Sequence, residues 1–191
     1  MQVLELGGSI GIVTSVLAKL VGPTGRVVSV EASPDLTKYS KTWLETPGRA
    51  DIVNGYAFPV WSLPGGLRVG GFNQTCSLGG TVDFSVDQQG GNAPKPAASR
   101  AGEPEVFDLS TLCTKFNLRP EVLVADVEGS EAIVPAQKPA LPEYMRFVCI
   151  ELHEWLYPNR TTDEQAISDV LIREGFRLRE KIETAWLFER V

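Results

Sequence analysis

The chain has 191 residues, of which 43% are hydrophobic and 22% charged, and its formal net charge is −6. This length predicts one domain, 1–191, with its own hydrophobic core. The lysines and arginines form no cluster that could follow a phosphate backbone, so nucleic acid is not an expected partner. No apolar run reaches the ~18 residues of a membrane helix and no signal peptide opens the chain, so we expect a cytoplasmic protein without a membrane partner.

Cysteine and histidine, the usual ligands of zinc, are few and scattered in this sequence. The three cysteines, Cys76, Cys113 and Cys149, form no CxxC pair, which argues against a zinc site and against a disulfide framework. His153 is the only histidine, and no second histidine follows His153-Glu154 at the spacing of a zinc protease. The sequence therefore predicts no metal site.

Strands and helices alternate in the first third of the chain. The predicted elements are strands at 2–6, 27–31 and 51–54, and helices that begin near Ile10 and at Pro34. Apolar residues at every fourth position indicate the first helix: Ile12, Val16 and Leu20. The second helix has Ser33 as its N-cap and an apolar stripe of Leu36, Tyr39 and Trp43.

Residues 55–104 differ in composition from the rest of the chain. They contain ten of the eighteen glycines and five of the thirteen prolines, which excludes long helices. Val82, Phe84 and Val86 alternate with polar residues, as in a half-exposed strand. We therefore predict an insertion that forms a β-hairpin, with a flexible stretch near 88–102 for which a disordered loop is the alternative.

The second half resumes the alternation. The predicted elements are a helix at about 110–116, a strand at 122–127, a short helix from Ser130, a strand at 146–152, a helix capped by Thr161 or Thr162 and ended by Gly175, and strands at 176–181 and 184–189. Strands that alternate with helices indicate a doubly wound α/β fold with a mainly parallel sheet. The last two strands add a C-terminal antiparallel hairpin.

The first strand-to-helix turn is rich in glycine and is followed by an acid at the end of the next strand. The turn, Glu5-Leu6-Gly7-Gly8-Ser9-Ile10-Gly11, lies where open α/β sheets bind ligands. Glu31 follows Gly7 by 24 residues, a spacing at which an acid accepts hydrogen bonds from ribose hydroxyls. The phosphate-binding pattern GxGxxG does not fit, and Glu5 suits the cationic groups of S-adenosylmethionine better than two phosphates. A turn that merely reverses the chain is the alternative.

Five segments resemble the FkbM family of S-adenosylmethionine-dependent methyltransferases. They are Leu4-Glu5-Leu6-Gly7-Gly8-Ser9-Ile10-Gly11, Val28-Ser29-Val30-Glu31-Ala32-Ser33-Pro34, Phe107-Asp108-Leu109-Ser110-Thr111-Leu112, Val124-Ala125-Asp126-Val127-Glu128-Gly129-Ser130-Glu131 and Val148-Cys149-Ile150-Glu151-Leu152-His153. The most distinctive is DVEGSE at 126–131, which is similar to the DVEGxE motif of the family. Pro135, Pro139 and the elaborated 55–104 region depart from the family pattern. The family's N-terminal lead-in is absent before Gln2, so we expect either a minimal domain or a preceding segment.

The resemblance implies the class I methyltransferase fold and a set of cofactor contacts. The residues implied around the methionine end of S-adenosylmethionine are Glu5, Gly7, Gly8, Ser9 and Gly11. Glu31 is implied to hold the ribose, with Ala32 and Ser33 beside the adenosine. Asn54 or Tyr56, expected just past the third strand, would lie against the adenine.

Three residues are candidates for the chemistry of methyl transfer. Asp126 ends the fourth core strand at the switch point of the sheet and is the first candidate to face the methyl group or the acceptor. Capping the helix near Ser130 is the alternative for Asp126 and for Glu128, because acids are favourable before a helix N-terminus. His153 lies at the rim of the same crevice and can act as a base near neutral pH, the alternative being a polar surface residue.

These observations predict an S-adenosylmethionine-dependent methyltransferase. The expected acceptor, a hydroxyl of a small metabolite or sugar, follows from the family resemblance alone. A non-catalytic partner module that binds the cofactor and a nicotinamide-dependent oxidoreductase are the alternatives. A homodimer is possible, since residues 55–104 suit either a lid or a dimer contact.

Overall fold

The computed structural model describes residues 1–44, 50–65, 67–76, 79–86, 104–136, 141–157 and 162–191. The strands are β1 Gln2–Leu6, β2 Arg26–Glu31, β3 Ala50–Ala57, β4 Leu67–Cys76, β5 Gly79–Val86, β6 Glu105–Phe107, β7 Val122–Ala125, β8 Phe147–Glu151, β9 Phe176–Ile182 and β10 Ala185–Arg190. The α-helices are α1 Ile12–Leu20, α2 Pro34–Trp43, α3 Leu109–Lys115 and α4 Glu164–Arg173, and Ser130–Ala136 and Glu154–Leu156 are 3₁₀ helices.

Eight strands form one sheet in the order β6-β3-β2-β1-β7-β8-β10-β9. Neighbouring strands from β6 to β8 run parallel, whereas β10 pairs antiparallel with both β8 and β9. This arrangement confirms the predicted doubly wound, mainly parallel fold with a C-terminal antiparallel hairpin. The strand order reverses between β1 and β7, so the carboxyl ends of β1, β2 and β7 meet at the point where such sheets bind ligands.

The core strands are buried on both faces, as expected for the centre of a parallel sheet. Val3, Leu4 and Leu6 of β1 have no solvent exposure, and Val28 and Val30 of β2 are equally buried. One large apolar cluster joins the sheet to α3 and α4, and a smaller one lies beneath α1. Because both faces of β1 are packed, the turn that follows it has a fixed position relative to its neighbours.

Helices α1 and α2 form where the sequence predicts them, but their apolar stripes are oriented differently. Ile12, Val16 and Leu20 are exposed, whereas the buried residues of α1 are Thr14 and Ala18. These small side chains let the helix lie close to the sheet. In α2, Leu36 is buried and Tyr39 is exposed, and the side chain of Trp43 lies outside the described part.

The region between β3 and α3 contains the predicted hairpin but differs from the prediction in two respects. β3 continues to Ala57, so Asn54 and Tyr56 lie within the strand. β4 and β5 form the predicted antiparallel hairpin. β6, which the sequence does not predict, pairs in parallel with the end of β3. The flexible stretch expected near 88–102 falls outside the described residues.

Helix α4 is capped by a different residue from the one predicted. The Asp163 side chain accepts a hydrogen bond from the Ala166 amide at 2.7 Å, which is the geometry of an N-cap. The cap is therefore not Thr162, and Thr161 lies outside the described residues. Of the helices in the described ranges, none combines the length and apolar character needed to cross a membrane.

Candidate functional site

The turn after β1 is held against β2 and β7 by its backbone. The amides of Gly7 and Gly8 donate to the Val30 carbonyl at 2.8 and 3.1 Å. Gly7 has a φ of +85°, and a Cβ atom there would lie 1.6 Å from the carbonyl oxygen of Asp126. A Cβ atom at Gly8 would lie 2.2 Å from the Ser29 hydroxyl. These glycines therefore let the turn fit between the strands, because the Asp126 carbonyl and the Ser29 hydroxyl occupy the positions that their side chains would need.

Glu31 closes β2 with its carboxylate held by two backbone amides. Its Oε2 accepts from the Ser9 amide at 2.8 Å and its Oε1 from the Ser33 amide at 2.7 Å. The residue is only 6% exposed, and burial raises the pKa of the carboxyl while these hydrogen bonds oppose the rise. Each oxygen has a second lone pair, so both can also accept from a ligand hydroxyl.

A cavity of about 250 Å³ opens above these two turns. It is lined by Gly7, Ser9, Val30, Glu31, Ala32, Gly55, Ala57, Gly80, Val82, Asp126, Val127, Glu128 and Ser130. Six residues predicted from the sequence are among them: Gly7, Ser9, Glu31, Ala32, Asp126 and Glu128. The cavity thus joins the glycine turn and the end of β2 to the segment that follows β7.

Glu5, Gly8 and Gly11 do not line this cavity, although each is expected to surround the cofactor. Glu5 is buried, and its carboxylate accepts a hydrogen bond from the Thr14 hydroxyl. Burial raises the pKa of Glu5, against the hydrogen bonds of Ser29 and Thr14. Glu5 therefore links the turn to α1 and β2 from below. A Cβ atom on Gly11 would lie 2.2 Å from Leu44 Cδ1, so this glycine permits contact between the start of α1 and the end of α2.

Asn54 and Tyr56 are also absent from the lining, and so is Ser33. The Asn54 amide donates to the carbonyls of Glu31 and Ala32 at 3.0 and 3.1 Å, which supports the backbone beside the cavity. Side chains alternate along a strand, so the cavity surface expected from Asn54 or Tyr56 comes from Gly55 and Ala57 instead. If the end of β3 had been placed at Ala57, the alternation of side chains would have selected Gly55 and Ala57 as the residues that face the cavity. Ser33 contributes its amide to Glu31, and its hydroxyl caps α2 by accepting from the Leu36 amide.

A histidine and a buried carboxylate, which do not themselves line the cavity, lie beside the Asp126 and Glu128 side chains that do. His153 is only 5% exposed, so it is not the surface residue considered as an alternative. Its Nδ1 lies 2.8 Å from Glu131 Oε1, and its backbone amide donates to the same oxygen at 2.8 Å. Glu131 has no solvent exposure, and its Oε2 accepts from the Gly129 amide at 2.9 Å. Glu131, for which the sequence predicts no role, therefore fixes the imidazole and serves the start of the 3₁₀ helix in place of Asp126 or Glu128.

The other imidazole nitrogen faces three carboxylates. His153 Nε2 lies 3.7 Å from Asp126 Oδ1, 3.7 Å from Glu151 Oε1 and 3.9 Å from Glu128 Oε2. These distances exceed the 2.7–3.2 Å of an N–H···O hydrogen bond. The Glu128 backbone has a φ of +48°, a left-handed conformation that is uncommon outside glycine. We refer to Asp126, Glu128, Glu151 and His153 as the acidic mouth.

Titration in the acidic mouth differs from the expectation for His153. Burial lowers the pKa of His153, but its hydrogen bond to Glu131 and the charges of Glu131, Glu128 and Asp126 outweigh burial and raise the pKa to about 9. A raised pKa means that the imidazole binds its proton more tightly than a free histidine does, and the role of His153 as a base stays a prediction. Burial, together with the charge of Glu151, raises the pKa of Asp126 to about 6 against the opposing effect of His153. Asp126 is therefore better matched to proton transfer near neutral pH.

A second, wider cleft adjoins the first. It has a volume of about 630 Å³ and lies between the β4–β5 hairpin on one side and Glu128, Gly129 and the 3₁₀ helix Glu154–Leu156 on the other. Val82 and Glu128 line both spaces. Trp155 is exposed at the edge of the cleft and contacts the His153 ring edge to face, with ring centroids 5.4 Å apart. A molecule in this cleft would reach the cavity past the acidic mouth.

The matches to known sequences cover only part of the chain. The model of the family described as Protein-L-isoaspartate(D-aspartate) O-methyltransferase (PCMT) matches residues 1–57. A protein-L-isoaspartate O-methyltransferase of Methanothrix thermoacetophila is 49% identical over 45 residues, which are 24% of this chain and 21% of that protein. The matched segment runs from β1 to β3, so it contains the glycine turn and Glu31 and stops before β7.

Solved structures resemble the chain over its whole length. Aeropyrum pernix fibrillarin, a complex with natively bound S-adenosyl-L-methionine, has a TM-score of 0.52 at 13% identity and is aligned over 100% of this chain and 66% of its own. A fibrillarin pre-rRNA processing protein of Methanococcus jannaschii has a TM-score of 0.55 at 12% identity, over 99% and 66% of the two chains. The chain thus spans just under two thirds of the fibrillarins and about a fifth of the curated relative. At these identities the likeness establishes the fold, which is that of class I S-adenosylmethionine-dependent methyltransferases.

Proposed function

We propose that the protein is an S-adenosylmethionine-dependent methyltransferase that acts on a hydroxyl group of a small molecule. The observation on which this rests is the cavity that sets the Glu31 carboxylate, on one side, opposite Asp126 and Glu128 on the other. The first side fits a nucleoside, and the second fits an acceptor with a proton to lose. The FkbM family resemblance, which includes both sides, supports the same activity and remains a prediction.

The cofactor is S-adenosylmethionine. Glu31 accepts hydrogen bonds from the two ribose hydroxyls, because each of its oxygens retains a lone pair after binding a backbone amide. The amides of Gly7, Gly8 and Ser9 already donate to protein oxygens, so the turn has no spare group of donors for a pyrophosphate. This arrangement argues against the nicotinamide-dependent oxidoreductase considered from the sequence.

The acceptor is a neutral hydroxyl compound that enters through the wider cleft. Asp126, Glu128 and Glu151 place three carboxylates where an acceptor approaches the cofactor. Like charges at such distances repel, which disfavours a carboxylate or a phosphodiester at this point. The same argument disfavours RNA, even though the chain shares its fold with fibrillarins.

The chemical step is a displacement at the methyl carbon of the sulfonium. The acceptor oxygen forms a bond to that carbon, the carbon–sulfur bond breaks, and its electron pair remains on sulfur as a neutral thioether. The hydroxyl proton passes to the Asp126 carboxylate, which lines the cavity beside the glycine turn. Positioning of the two reactants supplies most of the rate, about 7–11 kcal/mol in well-aligned systems, and the base adds roughly 10²–10⁴-fold.

Methylation of an isoaspartyl carboxylate is a second candidate, favoured by the family model that matches residues 1–57. That segment covers the cofactor side of the cavity and none of the acidic mouth. Because the acceptor side determines the substrate, the match supports cofactor binding equally under both candidates. The charge of the acidic mouth favours the hydroxyl acceptor.

The proposal is tested by binding and turnover measured on the same protein. Calorimetry should show S-adenosylmethionine binding at micromolar concentration, with no comparable binding of NAD. Methyl transfer should then occur to members of a panel of sugars and other polyhydroxylated compounds, but not to an isoaspartyl peptide. Turnover of the peptide alone would establish the second candidate, and binding without turnover of any acceptor would leave the non-catalytic partner module.

A further inference from the structure

We propose that Asp126, Glu128 and His153 form a binding site for one divalent cation at the entrance to the cofactor cavity. Their ligand atoms, one carboxylate oxygen each from Asp126 and Glu128 and one imidazole nitrogen, all lie within 4.8 Å of one another. Two of the three side chains also line the cavity. A cation held here would stand between the cofactor and an acceptor in the wider cleft.

The spacing of the three atoms suits a shared ion better than mutual hydrogen bonds. Nε2 of His153 is 3.7 Å from Asp126 Oδ1 and 3.9 Å from Glu128 Oε2. Ligands about 2.1 Å from an octahedral ion are about 3.0 Å apart when adjacent and about 4.2 Å apart when opposite. Both Nε2 distances are shorter than the separation of opposite ligands, so one ion can contact the imidazole and either carboxylate, and they are too long for direct N–H···O bonds.

The orientation of His153 is an independent indication of a ligand. The side chain is more than nine-tenths buried, and the carboxylate oxygens that face its Nε2, at 3.7 to 3.9 Å, lie beyond hydrogen-bond distance. Its Nδ1 is held by the fully buried Glu131 at 2.8 Å, so Nε2 points towards the two carboxylates. A carboxylate behind the imidazole is the usual support of a metal-binding histidine, since it fixes the ring and raises its basicity.

The ligand set indicates which ions the site takes. Two carboxylate oxygens with one imidazole nitrogen suit Mn²⁺, Fe²⁺ or Zn²⁺ better than Ca²⁺, which prefers oxygen ligands alone. Glu151 is a less suitable ligand, because its Oε1 already accepts from the Thr184 hydroxyl at 2.8 Å. Binding requires a free lone pair on Nε2, so the cation displaces the proton that the imidazole otherwise holds.

The cation has a role in turnover that rests on the proposed function, whereas its binding does not. Three protein ligands leave coordination positions open for a substrate oxygen. A hydroxyl bound there loses its proton more readily, because the positive charge stabilises the alkoxide. Asp126 offers the ion one carboxylate oxygen, so its other oxygen can still accept the hydroxyl proton, and the three carboxylates together still outweigh the charge of the ion and disfavour an anionic acceptor.

The test is a Mn²⁺ titration of the protein after EDTA has removed bound metal and the sample has been exchanged into fresh buffer. Binding is measured as the loss of the electron paramagnetic resonance signal of free Mn²⁺. The wild type should bind one Mn²⁺ per chain. Asp126→Asn and Glu128→Gln should each weaken binding at least about 10-fold, as loss of a ligand or its support does at known sites. Glu180→Gln removes an equal charge from an exposed position on β9 and should leave binding unchanged.

Two results would overturn the proposal. One is a wild type that binds Mn²⁺ no more tightly than the Asp126→Asn variant, in which case the imidazolium alone neutralises the carboxylates. The other is equal weakening by Glu180→Gln, which would mean that the ion responds to net charge. S-adenosylmethionine calorimetry on the same metal-free samples separates the two proposals. Cofactor binding without Mn²⁺ binding refutes the cation site alone, and Mn²⁺ binding without cofactor binding refutes the proposed function alone.

Discussion

Two groups of acids flank the same cavity, and they differ in what surrounds them. On the β1–β2 side, Glu5 and Glu31 are buried and bonded to hydroxyls or backbone amides of the protein. On the β7–β8 side, Asp126 and Glu128 are partly exposed and approach a histidine without bonding to it. The carboxylates of the first group are held in place by hydrogen bonds within the fold, whereas those that face His153 in the second group lie beyond hydrogen-bond distance of it.

Within one site, the acids of the β1–β2 side therefore have a structural role, and those of the acidic mouth have a chemical one. Acids that are satisfied by amides hold a turn in place and present a fixed surface to a nucleoside. Acids gathered around one imidazole repel each other, so their arrangement costs stability unless a proton or a cation offsets it. We therefore expect substitutions on the β1–β2 side to affect folding and cofactor affinity, and those in the acidic mouth to affect ion binding and turnover.

The largest effect is expected at Gly7. Gly7→Ala places a Cβ atom 1.6 Å from the Asp126 carbonyl at a φ of +85°, so the turn and the start of the acidic mouth must separate. The free energy of unfolding should fall by about 4 kcal/mol, the range of a severe backbone clash. Urea denaturation followed by circular dichroism measures it.

Gly22→Ala is the matched control for this clash. Gly22 also has a left-handed φ, +73°, but no atom lies within 4 Å of the position that a Cβ atom would take there. Only the conformational cost should remain, about 1 kcal/mol. If both alanines destabilise the protein equally, the close contact between the two sides of the cavity is not what requires glycine at position 7.

Glu131→Gln should have the next largest effect. Both oxygens of Glu131 accept from N–H groups, of Gly129 on one side and of His153 on the other. An amide would turn its NH₂ group towards a donor on one side, so the free energy of unfolding should fall by about 3 kcal/mol. Glu151→Gln is the control, since Glu151 is partly exposed and its partner Thr184 can bond to an amide, and it should cost less than about 1 kcal/mol. Equal losses in the two variants would contradict the supporting role of Glu131.

The sequence predicts the β1–β2 side well because the residues that form this side are close to one another in the sequence. The strand ends, the glycine turn and Glu31 all follow from patterns within about 30 residues of each other, and four residues predicted on this side do line the cavity: Gly7, Ser9, Glu31 and Ala32. The spacing of Ile12, Val16 and Leu20 correctly predicts the helix α1, but apolar periodicity does not say which face of a short helix meets the sheet. Asn54 and Tyr56 lie within β3 and not past its end, because the strand extends three residues beyond its predicted end, and their contact with the adenine stays a prediction.

The acidic mouth is harder to predict because its geometry depends on contacts across strands. Glu131 lies within the DVEGSE segment, but no local pattern shows that it reaches His153, 22 residues further on. For the same reason a search for clustered histidines and cysteines finds no metal site in this chain. The three proposed ligands come from the ends of two neighbouring strands, and only the parallel pairing of β7 with β8 brings them together.

The smallest of the three effects is expected at Glu31, and it tests the β1–β2 side directly. Glu31→Ala removes the acceptor for the ribose hydroxyls, so S-adenosylmethionine should bind about 2 kcal/mol more weakly by calorimetry, or roughly 30-fold. Asp35→Ala removes the same charge from an exposed position in the first turn of α2 and should leave affinity unchanged. Glu31→Gln keeps one oxygen acceptor, and its affinity for S-adenosylmethionine should fall between those of the other two variants.

Because Mn²⁺ binding depends on the opposite side of the cavity, it should be the same in all three variants. A Glu31→Ala variant that binds the cofactor as the wild type does would show that the buried carboxylate serves the turn alone, and the ribose would then need another partner.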